Sequence, residues 1–177
     1  MPVRPIQVQL FPALRESASR GWLTPAWVRK VARAALAAGD PSGSAGASVV
    51  VADDATVQGL NARFRGYDEV TDVLSFGAEG AFGESMSDGE GAPDADGFPV
   101  IEEEPDSLGE VVLSLPQAER QAPENGQSPE RETALLIVHG ILHLLGHDHA
   151  EPAETAAMRA LEQAALTRVY LPVGARA

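Results

Sequence analysis

The chain has 177 residues, of which 44% are hydrophobic, and its net charge of −13 argues against non-specific binding to nucleic acid, with no DNA expected. It contains no cysteine, which excludes disulfides and thiolate metal ligands. No basic segment precedes an apolar one at the N-terminus, and no apolar run approaches the roughly 20 residues that span a bilayer, so we expect a soluble, cytoplasmic protein without a membrane partner.

The spacing of apolar residues predicts four strands and four helices. Thr24 and Pro25 predict the start of a helix and Gly39 its end. By such criteria, strands are predicted at residues 6–11, 48–52, 70–76 and 110–115, and helices at 24–39, 53–64, from 128 to the glycine at 146, and from 151 onward, with a loop at 123–129. The predicted fold is α+β, a single domain over residues 1–177, in which about four strands form a mixed sheet packed against helices.

Residues 77–107 carry much of the acidity. This stretch holds ten acidic residues and no Lys or Arg, whereas the rest of the chain has sixteen acidic against thirteen basic residues. Gly, Pro and Ser are frequent in it, so we predict an acidic, flexible insert. The insert excludes wrong substrates or contacts a basic partner, or it is a solvated segment of little consequence. The rest of the chain is nearly neutral, which leaves room for a local basic site.

All four histidines lie within eleven consecutive residues, in the stretch LLIVHGILHLLGHDH at 135–149. His139 and His143 are four residues apart, so a helix would place them on one face. Gly146 permits a left-handed turn that can return His149 to the same point. Three neutral imidazoles with an open fourth position are typical of a zinc site that also binds water.

The alternative is a set of histidines satisfied within the core. Each buried ring nitrogen would then need a partner, and the helix offers no neighbouring acid or hydroxyl. We therefore predict one Zn²⁺ bound by His139, His143 and His149, on a buried helix and its exit turn. The same spacing occurs in metzincin proteases, where a Glu general base follows the first histidine. Gly140 stands there in this chain, so we do not expect the protease mechanism.

A second group of polar residues lies in the stretch LNARFRGYDEVTDVLSF at 60–76. Arg65 is predicted at a helix end, where its guanidinium can bind a phosphate through two hydrogen bonds. The arginine could equally complement the helix dipole. Thr71 and Asp72, taken alone, would be interpreted as capping the next strand.

Together these two groups resemble a known family. HGILHLLGHDH resembles the HGxLHLxGxDH signature of the YbeY family, bacterial metal-dependent endoribonucleases of ribosomal RNA maturation. Residues 60–76 are similar to the family's LNxxYRxxDxPTDVLSF block, and LGEVVLS at 108–114 to its LGDIxIS strand. The resemblance implies that the three histidines bind zinc, that Arg65 holds a phosphate, and that Asp148 accepts a hydrogen bond that orients a ligand.

The chain departs from the family pattern at four positions. Phe64 stands for Tyr, Val70 for Pro and Glu110 for Asp, while His147 stands for Tyr. His147 could be an alternative ligand, a proton-transfer group or an exposed turn residue. The insert between the third and fourth strands is also longer than is usual in the family.

The resemblance implies a zinc-dependent endoribonuclease specific for single-stranded RNA, acting at the 3′ end of small-subunit ribosomal RNA and in ribosome quality control. The small ribosomal subunit, and ribosomal or assembly proteins, are the implied partners. Zinc would lower the pKa of bound water and Arg65 would stabilise charge on the phosphate, while His147, Asp148 or the metal hydroxide would act as general base. A non-catalytic ribosome-assembly factor with a structural zinc, and a zinc peptidase or amidase, are the alternatives.

Overall fold

The computed structural model describes residues 4–15, 20–78 and 106–171, so most of the predicted insert lies outside the described residues. The described elements are β1 (Ile6–Leu10), α1 (Pro12–Arg15), α2 (Pro25–Gly39), β2 (Gly46–Ala52), α3 (Asp54–Arg65), β3 (Val73–Gly77), β4 (Ser107–Ser114), α4 (Leu115–Glu124), α5 (Pro129–Leu144) and α6 (Pro152–Tyr170). None of these helices combines the length and the apolar character that a membrane span requires.

The four strands form one mixed sheet in the order β1-β2-β4-β3. β1, β2 and β4 run parallel, and β3 is antiparallel to β4. β2 is buried along its whole length because helices cover both faces of the sheet. The predicted α+β fold with a four-stranded mixed sheet is therefore confirmed, and within the described residues β3 is an edge strand.

The prediction of only four helices was wrong, because it missed α1 and α4. α4 follows β4 directly, where Ser114 accepts a hydrogen bond from the backbone N–H of Gln117 and caps the helix. Proline usually breaks a helix, and α4 contains Pro116 and Pro123. Pro116 lies in the first turn, where a backbone N–H has no partner within the helix, so this proline costs no hydrogen bond. α4 also occupies the start of the loop predicted at 123–129.

The helices lie on both faces of the sheet. α2 and α5 pack on one face with α6 against them, and α3 packs on the other. Ile137, Ile141 and Leu142 of α5 are fully buried, which confirms the prediction that the histidine helix is buried. The two histidines of α5, His139 and His143, are only partly buried.

Candidate metal centre

The exit turn of α5 brings the third histidine back to the helix. Ser128 caps the start of α5 by accepting from the backbone N–H of Arg131. At the other end, Gly146 adopts a left-handed φ of 86°, as its position in the sequence predicted. The backbone N–H groups of Gly146 and His147 then donate to the carbonyls of His143 and Leu142, so the turn is fixed by main-chain hydrogen bonds.

The three predicted ligands converge. The Nε2 atoms of His139 and His143 are 3.1 Å apart, and one ring nitrogen from each of His139, His143 and His149 lies within 4.8 Å of the others. Two imidazoles that share a tetrahedral zinc at about 2.0–2.1 Å hold their nitrogens about 3.3 Å apart. The spacing and the donor type therefore fit a metal ion, and this group could bind one.

The environment of His143 favours the form that a metal ligand needs. Burial lowers the pKa of His143, and the neighbouring imidazoles of His139 and His149 lower it further by disfavouring a positive charge. Only a neutral imidazole has a lone pair free for a metal. The fold thus favours the neutral imidazole of His143.

Glu162 also belongs to the site, although no role was predicted for it from the sequence. The Nδ1–H of His139 donates to the Glu162 carboxylate at 2.8 Å, which leaves Nε2 directed at the other two histidines. The acid comes from α6. The absence of acids near the histidines within α5 therefore did not mean that the histidines lack an acidic partner. A signal was present in α6, because Glu162 falls on the buried helix face between Met158 and Leu166.

Gly140 faces the sheet rather than the metal centre. A Cβ at this position would lie 2.6 Å from Cγ1 of Val111 and 3.2 Å from Oγ of Ser75. The Ser75 hydroxyl also donates to the Gly140 carbonyl at 3.2 Å. The position that carries the general base in metzincins is therefore used here for close packing of α5 on β3 and β4.

Asp148 and His147 lie beside the triad without lining its cleft. The Asp148 carboxylate accepts from the backbone N–H of His149 at 2.7 Å and is 4.0 Å from the ring Nδ1 of His149. His147 donates from Nε2 to the carbonyl of Gly39 at 3.3 Å, which ties the exit turn to the end of α2. A role for Asp148 in orienting a ligand stays a prediction.

A cleft of about 820 Å³ joins the metal centre to the predicted phosphate-binding residue. Arg65 ends α3, where Gly66 takes a left-handed φ of 76°, and its side chain is exposed at the cleft together with the three histidines. Asp72 also lines the cleft, and its carboxylate accepts from the backbone N–H of Val73 at 2.8 Å. The structure thus brings both sequence-predicted groups into one cavity.

The fold and the site together define a class, an α+β domain with a three-histidine group beside an exposed arginine. The family model described as Endoribonuclease YbeY matches residues 22–170. Proteins named Endoribonuclease YbeY from Pelotomaculum thermopropionicum and Moorella thermoacetica are 48% and 42% identical to this chain over 124 and 144 residues. These matches cover 70% and 81% of this chain, and 72% and 85% of the relatives. The chain therefore belongs to the YbeY family, which confirms the predicted class of hydrolase.

A solved structure agrees with the fold. The solution structure of TM1509 from Thermotoga maritima superposes with a TM-score of 0.55 and 22% sequence identity. The match covers 98% of this chain and 100% of that one. At this level of identity the likeness supports the fold alone.

Proposed function

We propose that this chain is a zinc-dependent endoribonuclease that cuts single-stranded RNA, acting on the 3′ end of small-subunit ribosomal RNA and in ribosome quality control. One observation carries the proposal: Arg65 and the three histidines line the same cleft. A metal centre and a guanidinium suit phosphodiester cleavage, because the first activates water and the second stabilises charge on the phosphate. The family description supports RNA as the substrate.

Each side chain has a separate part in this mechanism. His139, His143 and His149 would hold the ion, which supplies a water of lowered pKa and a Lewis acid. Glu162 keeps His139 in the tautomer whose Nε2 can bind a metal. Arg65 binds the phosphate through two guanidinium N–H groups and stabilises the charge that develops on it. Because the arginine ends a helix capped by a left-handed glycine, its backbone is fixed before substrate binds.

Both side chains considered as the general base, His147 and Asp148, lie outside the cleft lining. His147 instead bonds to the Gly39 carbonyl. Gly140 has no side chain and packs on the sheet, which argues against a zinc peptidase or amidase of the metzincin type.

A single strand suits this cleft better than a duplex. Unpaired nucleotides can turn their bases out and bring a phosphate into a cavity, whereas paired ones hold both in the helix. The small ribosomal subunit in the cytoplasm is the proposed setting, with ribosomal or assembly proteins as further partners. The acidic stretch at 77–107 offers a charge complement to basic proteins of that kind.

The test is cleavage of a single-stranded RNA taken from the precursor 3′ end of small-subunit ribosomal RNA. Wild type is compared with His143→Ala and Arg65→Ala, and with Arg63→Ala as a control on the same helix, whose guanidinium lies over the Phe64 ring. We expect Arg63→Ala to cut RNA at the wild-type rate. His143→Ala and Arg65→Ala should each cut at least about 100-fold more slowly, which is the order of loss when a charge-stabilising group is removed.

Two other results would change the conclusion. Equal cutting by all four proteins would mean a contaminating nuclease. Tight RNA binding without cutting, together with zinc that chelators do not remove from the folded protein, would favour an assembly factor with a structural zinc.

A further inference from the structure

The cleft is larger than a metal centre and one phosphate require, and its extra wall is formed by α4 and the residues that follow it. Gln121, Glu124 and Asn125 line this wall, with Asp72 beside them and the buried Glu132 behind. These residues belong to the same cavity of about 820 Å³ as the histidines. The proposed mechanism gives them no part.

The two amide side chains of this wall have a fixed orientation. Asn125 donates from Nδ2 to one Glu132 oxygen at 3.0 Å, and Gln127 donates from Nε2 to the other. Gln121 donates from Nε2 to the Asp72 carboxylate at 3.4 Å. A carboxylate only accepts, so each amide must turn its NH₂ group toward its acid.

The consequence is a wall that offers acceptors. The carbonyl oxygens of Gln121 and Asn125 have no hydrogen-bond partner among the described residues, and both residues line the cleft. The exposed carboxylate of Glu124 adds further acceptors. Glu132 is only 2% exposed and accepts from two amides, which holds this arrangement in place. Each NH₂ group keeps one N–H outside these bonds, but the two amide oxygens and the carboxylates of Glu124 and Asp72 leave the wall with more acceptors than donors.

Such a wall discriminates between the parts of a nucleotide. A phosphate would be repelled by Asp72 and Glu124 and would go to Arg65 instead. A nucleobase can present donors: adenine, cytosine and guanine each carry an exocyclic amino group, whereas uracil offers carbonyl acceptors on both sides of a single ring N–H. Wall acceptors that face a uracil carbonyl would lose their water without gaining a hydrogen bond from the base.

We propose that the wall formed by Gln121, Glu124 and Asn125 is a nucleobase subsite that selects a base with an exocyclic amino group over uracil. The inference rests on the proposed function, because it takes single-stranded RNA as the ligand. It adds a preference at the base beside the phosphate that Arg65 holds.

The test compares two RNA decamers, oligocytidylate and oligouridylate, which share a pyrimidine ring and differ at the amino group. Binding to the zinc-loaded protein is followed by fluorescence anisotropy, so that no cleavage is needed for the readout. For wild type we expect the cytidine strand to bind about five-fold tighter, at the lower end of the discrimination expected from base-edge hydrogen bonds (about 1 kcal/mol).

Variants assign the preference to the wall. Gln121→Ala and Glu124→Gln should each bring the ratio of the two dissociation constants toward one, and thermal melting checks their folding. Gln117→Ala is the matched control, since Gln117 lies on the same helix one turn earlier and outside the cleft lining, and it should keep the ratio. Equal binding of both RNAs by wild type, or an unchanged ratio in both wall variants, would overturn the inference. A retained cytidine preference without any RNA cleavage would support the subsite while refuting the nuclease proposal.

Discussion

The Nδ1–H of His139 and the carboxylate of Glu162 are joined at 2.8 Å across 23 residues of sequence and two helices. The Glu162 side chain is 15% exposed, so the bond is largely shielded from water. A carboxylate behind an imidazole raises the basicity of its other nitrogen and holds the ring plane. The affinity of the triad for a metal should therefore depend on Glu162, which contacts His139 and would not contact the metal itself.

Glu162→Gln keeps an acceptor for His139 but removes the negative charge. We expect zinc affinity to fall about 10-fold or more, within the range for partners of metal-bound histidines. Competition with a chromophoric chelator measures it. Glu154→Gln makes the same chemical change at the start of α6, where Glu154 accepts from the backbone N–H of Glu151, and should leave the affinity unchanged. Equal affinity of Glu162→Gln and wild type would remove Glu162 from the site.

Zinc should stabilise the folded protein by mass action. At a free zinc concentration of 100 times the dissociation constant, the gain is about 2.7 kcal/mol, which raises Tm by several degrees. His143→Ala removes one of three ligands and should abolish the shift in a calorimetric scan. A zinc-dependent rise in Tm of the same size in His143→Ala would place the metal elsewhere.

Gly140→Ala tests the contact between α5 and the sheet. The added methyl group would come within 2.6 Å of Val111, so the helix or the strand must move, and we expect a loss of about 1–3 kcal/mol in the free energy of unfolding. Urea denaturation measures it. Gly77→Ala is the control, because a Cβ there meets nothing within 4 Å, and it should stay within about 0.5 kcal/mol of wild type.

Glu110 on β4 should make stability fall as the pH rises. Burial raises the pKa of its carboxyl to about 7, above the ordinary value of 4.5. The folded state therefore holds this proton more tightly than the unfolded state, so the stability that the group contributes is complete below about pH 4.5 and is lost by about pH 7.

Glu110→Gln removes the titration. Each unit of pKa shift is worth about 1.4 kcal/mol of unfolding free energy, and partial access of solvent reduces that value. We therefore expect the free energy of unfolding of the variant, relative to wild type, to rise by about 1–2 kcal/mol from pH 5 to pH 8. Urea denaturation at both pH values gives the difference. A constant difference across this range would mean that Glu110 ionises normally in the folded state.

The metal triad was predictable from sequence because its information is local. The i, i+4 spacing of His139 and His143 and the left-handed Gly146 determine the geometry within eleven residues. The residues that complete the site come from distant elements. Glu162 reaches it from α6. Gln121 and Glu124 of the cleft wall lie on α4, a helix that was not predicted because a proline stands near each of its ends. No local periodicity reports such contacts, since they depend on how helices pack in three dimensions.

The edge position of β3 gives the cleft a wall of another kind. Asp72 and Ala78 bond through their main chains to Ser114 and Leu108 on β4, so in an antiparallel ladder the N–H and C=O groups of Ser75 and Gly77 point away from β4. Both residues line the cleft. Side-chain substitution does not remove a peptide group, so alanine scanning will under-report the contribution of this strand. Replacing the Phe76–Gly77 amide by an ester through semisynthesis removes the outward N–H of Gly77, and would reach contacts that no coded mutation can.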